Sequence, residues 1–135
     1  MLFRSLVASV REESGKVVKI EPKVLGKPIS QASSKVMTEM LVNAVNKGEA
    51  QYARLKDYRI AGKTGTASIP VAGKYDPSKT IASFIGFAPS EDPKFLMLVV
   101  FDQPTSAIYG AETAAPVFFN IARDLLSYYK IPPEE

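Results

Sequence analysis

Hydrophobic positions recur with two different periods along this chain, and the places where the period changes mark its elements. Leu6 to Glu12 and Lys16 to Ile20 flank the turn-forming cluster Glu13, Ser14 and Gly15. The second arm is rich in β-branched residues, so the pair reads as a hairpin. Pro22 and Pro28 end that run. Ser30 is placed to cap a helix whose apolar positions Val36, Met37, Met40, Leu41, Ala44 and Val45 fall at three-to-four spacing, with Gly48 as its stop. The stripe makes the helix amphipathic and predicts a core face packed on a sheet, methionines included.

Further on, Tyr58 to Thr66 carries Gly62 and Gly65, which weaken a helix, and is expected to be a strand with close backbone contacts. Pro70, Gly73, Asp76 and Pro77 predict a loop before a strand over Thr80 to Ala88. The connection Pro89 to Pro93 has hairpin length and leads to a strand over Lys94 to Asp102. The unbroken apolar middle of that strand predicts burial on both faces, hence a central strand with helices above and below it. After a loop over Gln103 to Gly110, the positions Ala114, Val117, Phe118, Ile121, Ala122, Leu125 and Leu126 form a second helical stripe. Pro116 sits early enough in it to be tolerated, since first-turn amides have no intrahelical partner. Pro132 and Pro133 close the chain. With no repeat and no interior linker, the expectation is one domain over residues 1–135 of the α/β (α+β) class, a mostly antiparallel sheet flanked by helices.

Composition narrows the chemistry. A hydrophobic fraction of 46% and a charged fraction of 23% suit a chain that buries a core. A net charge of +3 is too small and too dispersed to predict nucleic acid as a partner. The chain has no cysteine and no histidine, which excludes thiolate nucleophiles, disulfides, Cys/His zinc sites and a Ser-His-Asp triad. No metal or cofactor is expected. Ser5 to Val10 is shorter than a signal-peptide core, and the longest apolar run, Phe95 to Phe101, is strand-sized, so neither an export signal nor a membrane contact is expected within these residues.

The segment with the most chemistry is Ile60-Ala61-Gly62-Lys63-Thr64-Gly65-Thr66-Ala67. A phosphate loop would end in the same Gly-Lys-Thr, but it requires a glycine five residues before Gly62, where Asp57 stands, and a helix opening at Lys63. Gly65 and Pro70 oppose that helix. The other reading is a substrate-lining strand. Lys63 supplies a fixed cation that can organise an anionic group and polarise a hydroxyl network. Gly65 leaves room for a ligand against the strand edge. Thr64 and Thr66 share one side by two-residue periodicity and offer hydroxyls to a carboxylate, while the Thr66 amide can face a developing oxyanion. Lys-Thr-Gly is an element of penicillin-binding proteins and serine β-lactamases.

The chain as a whole resembles the C-terminal part of the transpeptidase domain of class B penicillin-binding proteins, those of elongation and division. The matching stretches are Leu6-Val7-Ala8-Ser9-Val10 through Gly15-Lys16-Val17-Val18, Met40-Leu41-Val42-Asn43-Ala44-Val45, and Ala61 to Ala67. Ala82-Ser83-Phe84-Ile85-Gly86-Phe87-Ala88-Pro89, Thr113-Ala114-Ala115-Pro116-Val117-Phe118 and Ile131-Pro132-Pro133 follow in the same order. The resemblance implies a serine-type D,D-transpeptidase that cross-links peptidoglycan through an acyl-enzyme, with β-lactams imitating the donor stem peptide. It implies that Lys63, Thr64, Gly65 and Thr66 line the cleft, that both threonines contact the substrate or drug carboxylate, and that the Thr66 amide completes the oxyanion hole, giving Lys63 and Thr66 catalytic roles. It also implies a full-length protein anchored at the outer face of the cytoplasmic membrane.

Two elements of that family are missing. No Ser-x-Asn occurs, and the single Ser-x-x-Lys, Ser127-Tyr128-Tyr129-Lys130, follows Lys63 and ends the final helix, where the nucleophile is not expected. The family often has a glycine-rich stretch where Glu49, Ala50 and Gln51 stand here. The expectation is therefore a portion of the domain without its nucleophile, inactive alone, which either completes a cleft with an N-terminal half, self-associates, or serves as a non-catalytic complementing or stem-peptide-binding module.

Overall fold

A computed structural model describes residues 2–4, 9–21 and 23–134. Two units are distinguished, Met1–Lys35 and Val36–Glu135. In the first, β1 (Leu2–Arg4) pairs antiparallel with β4 (Lys23–Gly26), and β2 (Ser9–Arg11) with β3 (Val17–Lys19). The expected hairpin is the β2–β3 pair. Its turn closes by hydrogen bonds from Glu12 N–H to the Lys16 carbonyl and from Gly15 N–H to the Glu12 carbonyl, with Gly15 at φ +83°. Residues 6–8 of its first arm lie outside the described residues.

Helix α1 (Gln31–Lys47) starts as its sequence predicts: Ser30 Oγ accepts the Ser33 N–H at 3.0 Å, satisfying one of the first-turn donors. Its stripe, however, is not one core face. Val36, Met37 and Met40 are exposed, and the buried residues are Val42 and Val45. Only the last turns reach a core, through Val42 and Val45.

The second unit is organised by a three-stranded antiparallel sheet in the order β5-β6-β7, formed by Ala61–Val71, Lys74–Ala88 and Phe95–Asp102. The mixed α+β class with antiparallel sheets and helices holds. The single sheet expected for the whole chain does not: the described strands form three separate sheets. The loop expected around Pro70 and Pro77 is instead the far end of a long hairpin, in which Ile69, Pro70 and Val71 pair with Asp76, Tyr75 and Lys74. A register shift after Ser68 takes up the extra residues 77–79, so Pro77 needs no ladder partner there.

The strand β7 is also corrected. It lies at an edge of this sheet, and β6 is central. Alternate residues Leu96, Leu98 and Val100 are 68%, 59% and 50% exposed. Among the described residues one face alone is covered, by α2 (Ala114–Tyr128), whose Phe118 and Phe119 meet Phe84 of β6 at ring separations of 4.7 and 5.3 Å. The α2 stripe is rotated from its expected centre: Ala115 and Phe119 are buried, while Val117 and Ile121 are partly exposed.

The candidate substrate strand and its surroundings

Strand β5 carries the segment singled out by sequence, and its register places Lys63 opposite Ile85, Thr64 opposite Phe84, Gly65 opposite Ser83 and Thr66 opposite Ala82. Among the described residues its other edge pairs with no strand. Ala61 and Gly62 are buried, and burial then falls away so that Lys63 and Thr66 are exposed and Thr64 and Gly65 half-buried. The strand expected over Tyr58 to Thr66 begins only at Ala61 and runs on to Val71, with Thr64 and Thr66 on one side of it.

Close packing accounts for Gly62. A Cβ on Gly62 would lie 2.7 Å from the Phe84 ring and 2.9 Å from the Ile85 carbonyl oxygen. One on Gly65 would lie 2.5 Å from Ser83 Oγ, a side chain of the neighbouring strand. Gly62 thus sits too close to the β6 backbone for a larger residue, whereas at Gly65 only the rotatable Ser83 hydroxyl stands in the way.

The Lys63 ammonium donates to the Thr64 carbonyl and to Thr64 Oγ1, each at 3.0 Å. Folded back in this way, the cation and the hydroxyl act as one polar cluster on the strand. Lys63 and Thr64 also line a recess of about 240 Å³ closed on its far side by Ala44, Gly48, Glu49 and Ala50. Glu49 and Ala50, which stand where the family often has a glycine-rich stretch, thus form part of the wall facing the strand. Ala50 belongs to the buried core, and Tyr52 Oη donates to the Ala111 carbonyl at 2.8 Å.

Thr66 has a partner that sequence reasoning missed. Its Oγ1 accepts the backbone N–H of Gly110 at 3.1 Å. Gly110 ends the stretch expected to be a loop, and a backbone amide leaves no mark in the pattern of side chains. The one available signal was Tyr109-Gly110 itself, a glycine shortly before a helix. The rejected Ser-x-x-Lys lies at the end of α2, with Ser127 and Lys130 exposed and Lys130 at φ +55°, outside the helix.

Comparison with known proteins supplies the family. The profile Penicillin binding protein transpeptidase domain matches residues 4–123. Stage V sporulation protein D of Bacillus subtilis (strain 168) is 40% identical over 108 residues, covering 79% of this chain and 17% of that protein. Among solved structures, the apo transpeptidase domain of penicillin-binding protein 3 from Burkholderia pseudomallei is 36% identical, with a TM-score of 0.66, over 76% of this chain and 31% of that one. Penicillin-binding protein 3 from Mycobacterium tuberculosis, complexed with aztreonam, matches 96% of this chain and 31% of its own at a TM-score of 0.79 and 26% identity. The chain therefore spans under a third of the length of each of these relatives.

Proposed function

The chain belongs to the penicillin-binding protein transpeptidase family, and from that membership we propose that it is the C-terminal portion of a peptidoglycan D,D-transpeptidase domain and supplies one wall of its cleft. The observation that carries this reading is the run Lys63 to Thr66 on a strand whose outer edge pairs with no strand among the described residues, with two threonines on one side and a recess beside the cation. Lys63 is the fixed positive charge that organises the hydroxyl network. Thr64 and Thr66 donate to the carboxylate of a stem peptide or of a β-lactam, and the Thr66 amide faces the oxyanion. Gly65 keeps the strand flat against Ser83 and leaves the ligand-facing edge unobstructed.

In the reaction so proposed, a serine hydroxyl attacks the carbonyl of the penultimate D-alanine. The C–N bond breaks, the terminal D-alanine leaves as the amine with the serine proton, and an acceptor amine then takes the acyl group and frees the serine. The serine and the Ser-x-Asn element are contributed by polypeptide other than these 135 residues. The protein that contains them works at the cell envelope. Among the described residues no helix is long and apolar enough to cross a membrane.

The test is acylation by a fluorescent penicillin, read as label that survives denaturing electrophoresis. The 135-residue chain alone is expected to take none, and a longer protein joining it to the nucleophile is expected to take one label per chain. Lys63→Ala in the longer protein should slow labelling by about 100-fold or more, the order of loss expected when a preorganised polar group of the site is removed. Labelling of the isolated chain would overturn this division of labour. A second reading, a non-catalytic complementing module, is favoured by the bare face of β7: Leu96, Leu98 and Val100 form, with Ile81 and Ile85 of β6, an apolar surface of a kind monomers rarely expose. It predicts tight association with a separate chain bearing the serine.

A further inference from the structure

The acceptor side of the Thr66 hydroxyl is already engaged, and that decides which way its proton points. A threonine hydroxyl has one proton and two lone pairs. With one lone pair held by the Gly110 N–H at 3.1 Å, the oxygen is fixed and the proton turns away from that amide.

Gly110 is itself held closely. A Cβ there would lie 2.4 Å from the Ser83 carbonyl oxygen and 2.5 Å from that of Gly65. The loop thus rests directly on the paired backbones of β5 and β6. Side chains fasten it at both ends. Thr80, only 3% exposed, donates from Oγ1 to the Ile108 carbonyl at 2.6 Å, and its own carbonyl accepts the Gln103 N–H at 2.9 Å. Beyond Gly110, Tyr52 Oη holds the Ala111 carbonyl, and the Gly110 carbonyl accepts the Ala115 N–H at 2.9 Å, in the first turn of α2.

We propose that Thr80 is a positioning residue that acts through this loop: it holds Ile108 and hence Gly110 against the sheet, and Gly110 sets the Thr66 hydroxyl as a donor toward a ligand carboxylate. The identity of the ligand rests on the transpeptidase reading above. The Thr80 hydroxyl is buried and spent on the Ile108 carbonyl, so it acts on the ligand only through the loop, and its influence is confined to how well the anionic end of the ligand is met.

The experiment uses a protein joining this chain to the nucleophile and two probes, a penicillin with a free carboxylate and its methyl ester, each scored by its second-order acylation rate constant. Thr80→Val keeps the shape and removes the hydroxyl. It is expected to lower the preference for acid over ester by about tenfold, the lower end of what a hydrogen bond to a charged group contributes. Thr80→Ser should restore the preference. Gly110→Ala, which crowds the loop off Ser83, should lower it as well, and it carries the same comparison if Thr80→Val does not fold. Equal slowing toward both probes, or an unchanged preference, would overturn the positioning role and leave the transpeptidase reading standing. Failure of the unsubstituted protein to react with either probe would remove both.

Discussion

Gly86 meets the Phe118 ring on one side and the Ala61 carbonyl on the other, so that a Cβ there would lie 2.8 and 2.9 Å from them. The backbone oxygen cannot retreat without breaking the β5–β6 ladder. Gly86→Ala should cost about 1–3 kcal/mol by overpacking, measured by denaturant unfolding. Thr66→Val removes the acceptor of the Gly110 amide while keeping the shape, and should speed hydrogen exchange at that amide without altering Phe118. The hairpin end offers a charge effect. Asp76 Oδ1 accepts from Ser78 Oγ at 2.6 Å and from the Ser78 N–H at 2.9 Å, and these bonds, the hydroxyl one foremost, hold its carboxyl below the usual carboxylate range. A lowered folded-state value stabilises the turn fully above the ordinary carboxylate range, and the benefit is lost as pH falls through the lowered value. Ser78→Ala should move the Asp76 titration midpoint upward, as read by carboxyl NMR shifts.

At the scale of elements, the contact of α2 with the sheet is the chief source of burial: Phe84, Phe118 and Phe119 pack as a triad, with Phe118 and Phe119 at 5.4 Å. Phe118→Ala should cost about 3–5 kcal/mol in an unfolding experiment, since the cavity would sit between helix and sheet with nothing to fill it. Much of this architecture is legible in the sequence. Ser30 and Gly48 bracket α1 because capping is local chemistry, and Lys63 to Thr66 stand out because residue type and spacing are all that the motif needs. The length of the β5–β6 hairpin is not legible, since Pro70 and Pro77 imitate a loop and only the register shift after Ser68 reconciles them with pairing. Nor is the edge position of β7: an apolar run reports that both faces suit burial, without saying which neighbours these residues have. The Gly110–Thr66 bond spans 44 residues and uses a main-chain donor, so no local pattern carries it.

For the whole molecule the relevant number is the coverage of about a third of the transpeptidase structures it resembles, together with a sheet face that nothing among the described residues covers. Leu98 stands on that face opposite Ile85, both exposed. Leu98→Lys should raise the monomeric fraction of the isolated chain in light scattering, because covering that apolar face would then bury an unpaired charge. In a protein joined to its remaining domain the same change should instead destabilise, and opposite signs in the two settings would separate a shielded surface from a merely tolerated one. The two ends of the β5-β6-β7 order differ in kind, an eleven-residue margin bearing Lys63 and Pro70 and an eight-residue margin with no charge before Asp102. Unlike margins joined head to tail form an open array unless the rotation between copies closes a ring. Association of the lone polypeptide through these margins should therefore yield species whose size rises with concentration, and a foreign strand that seals the uncharged end should cap it.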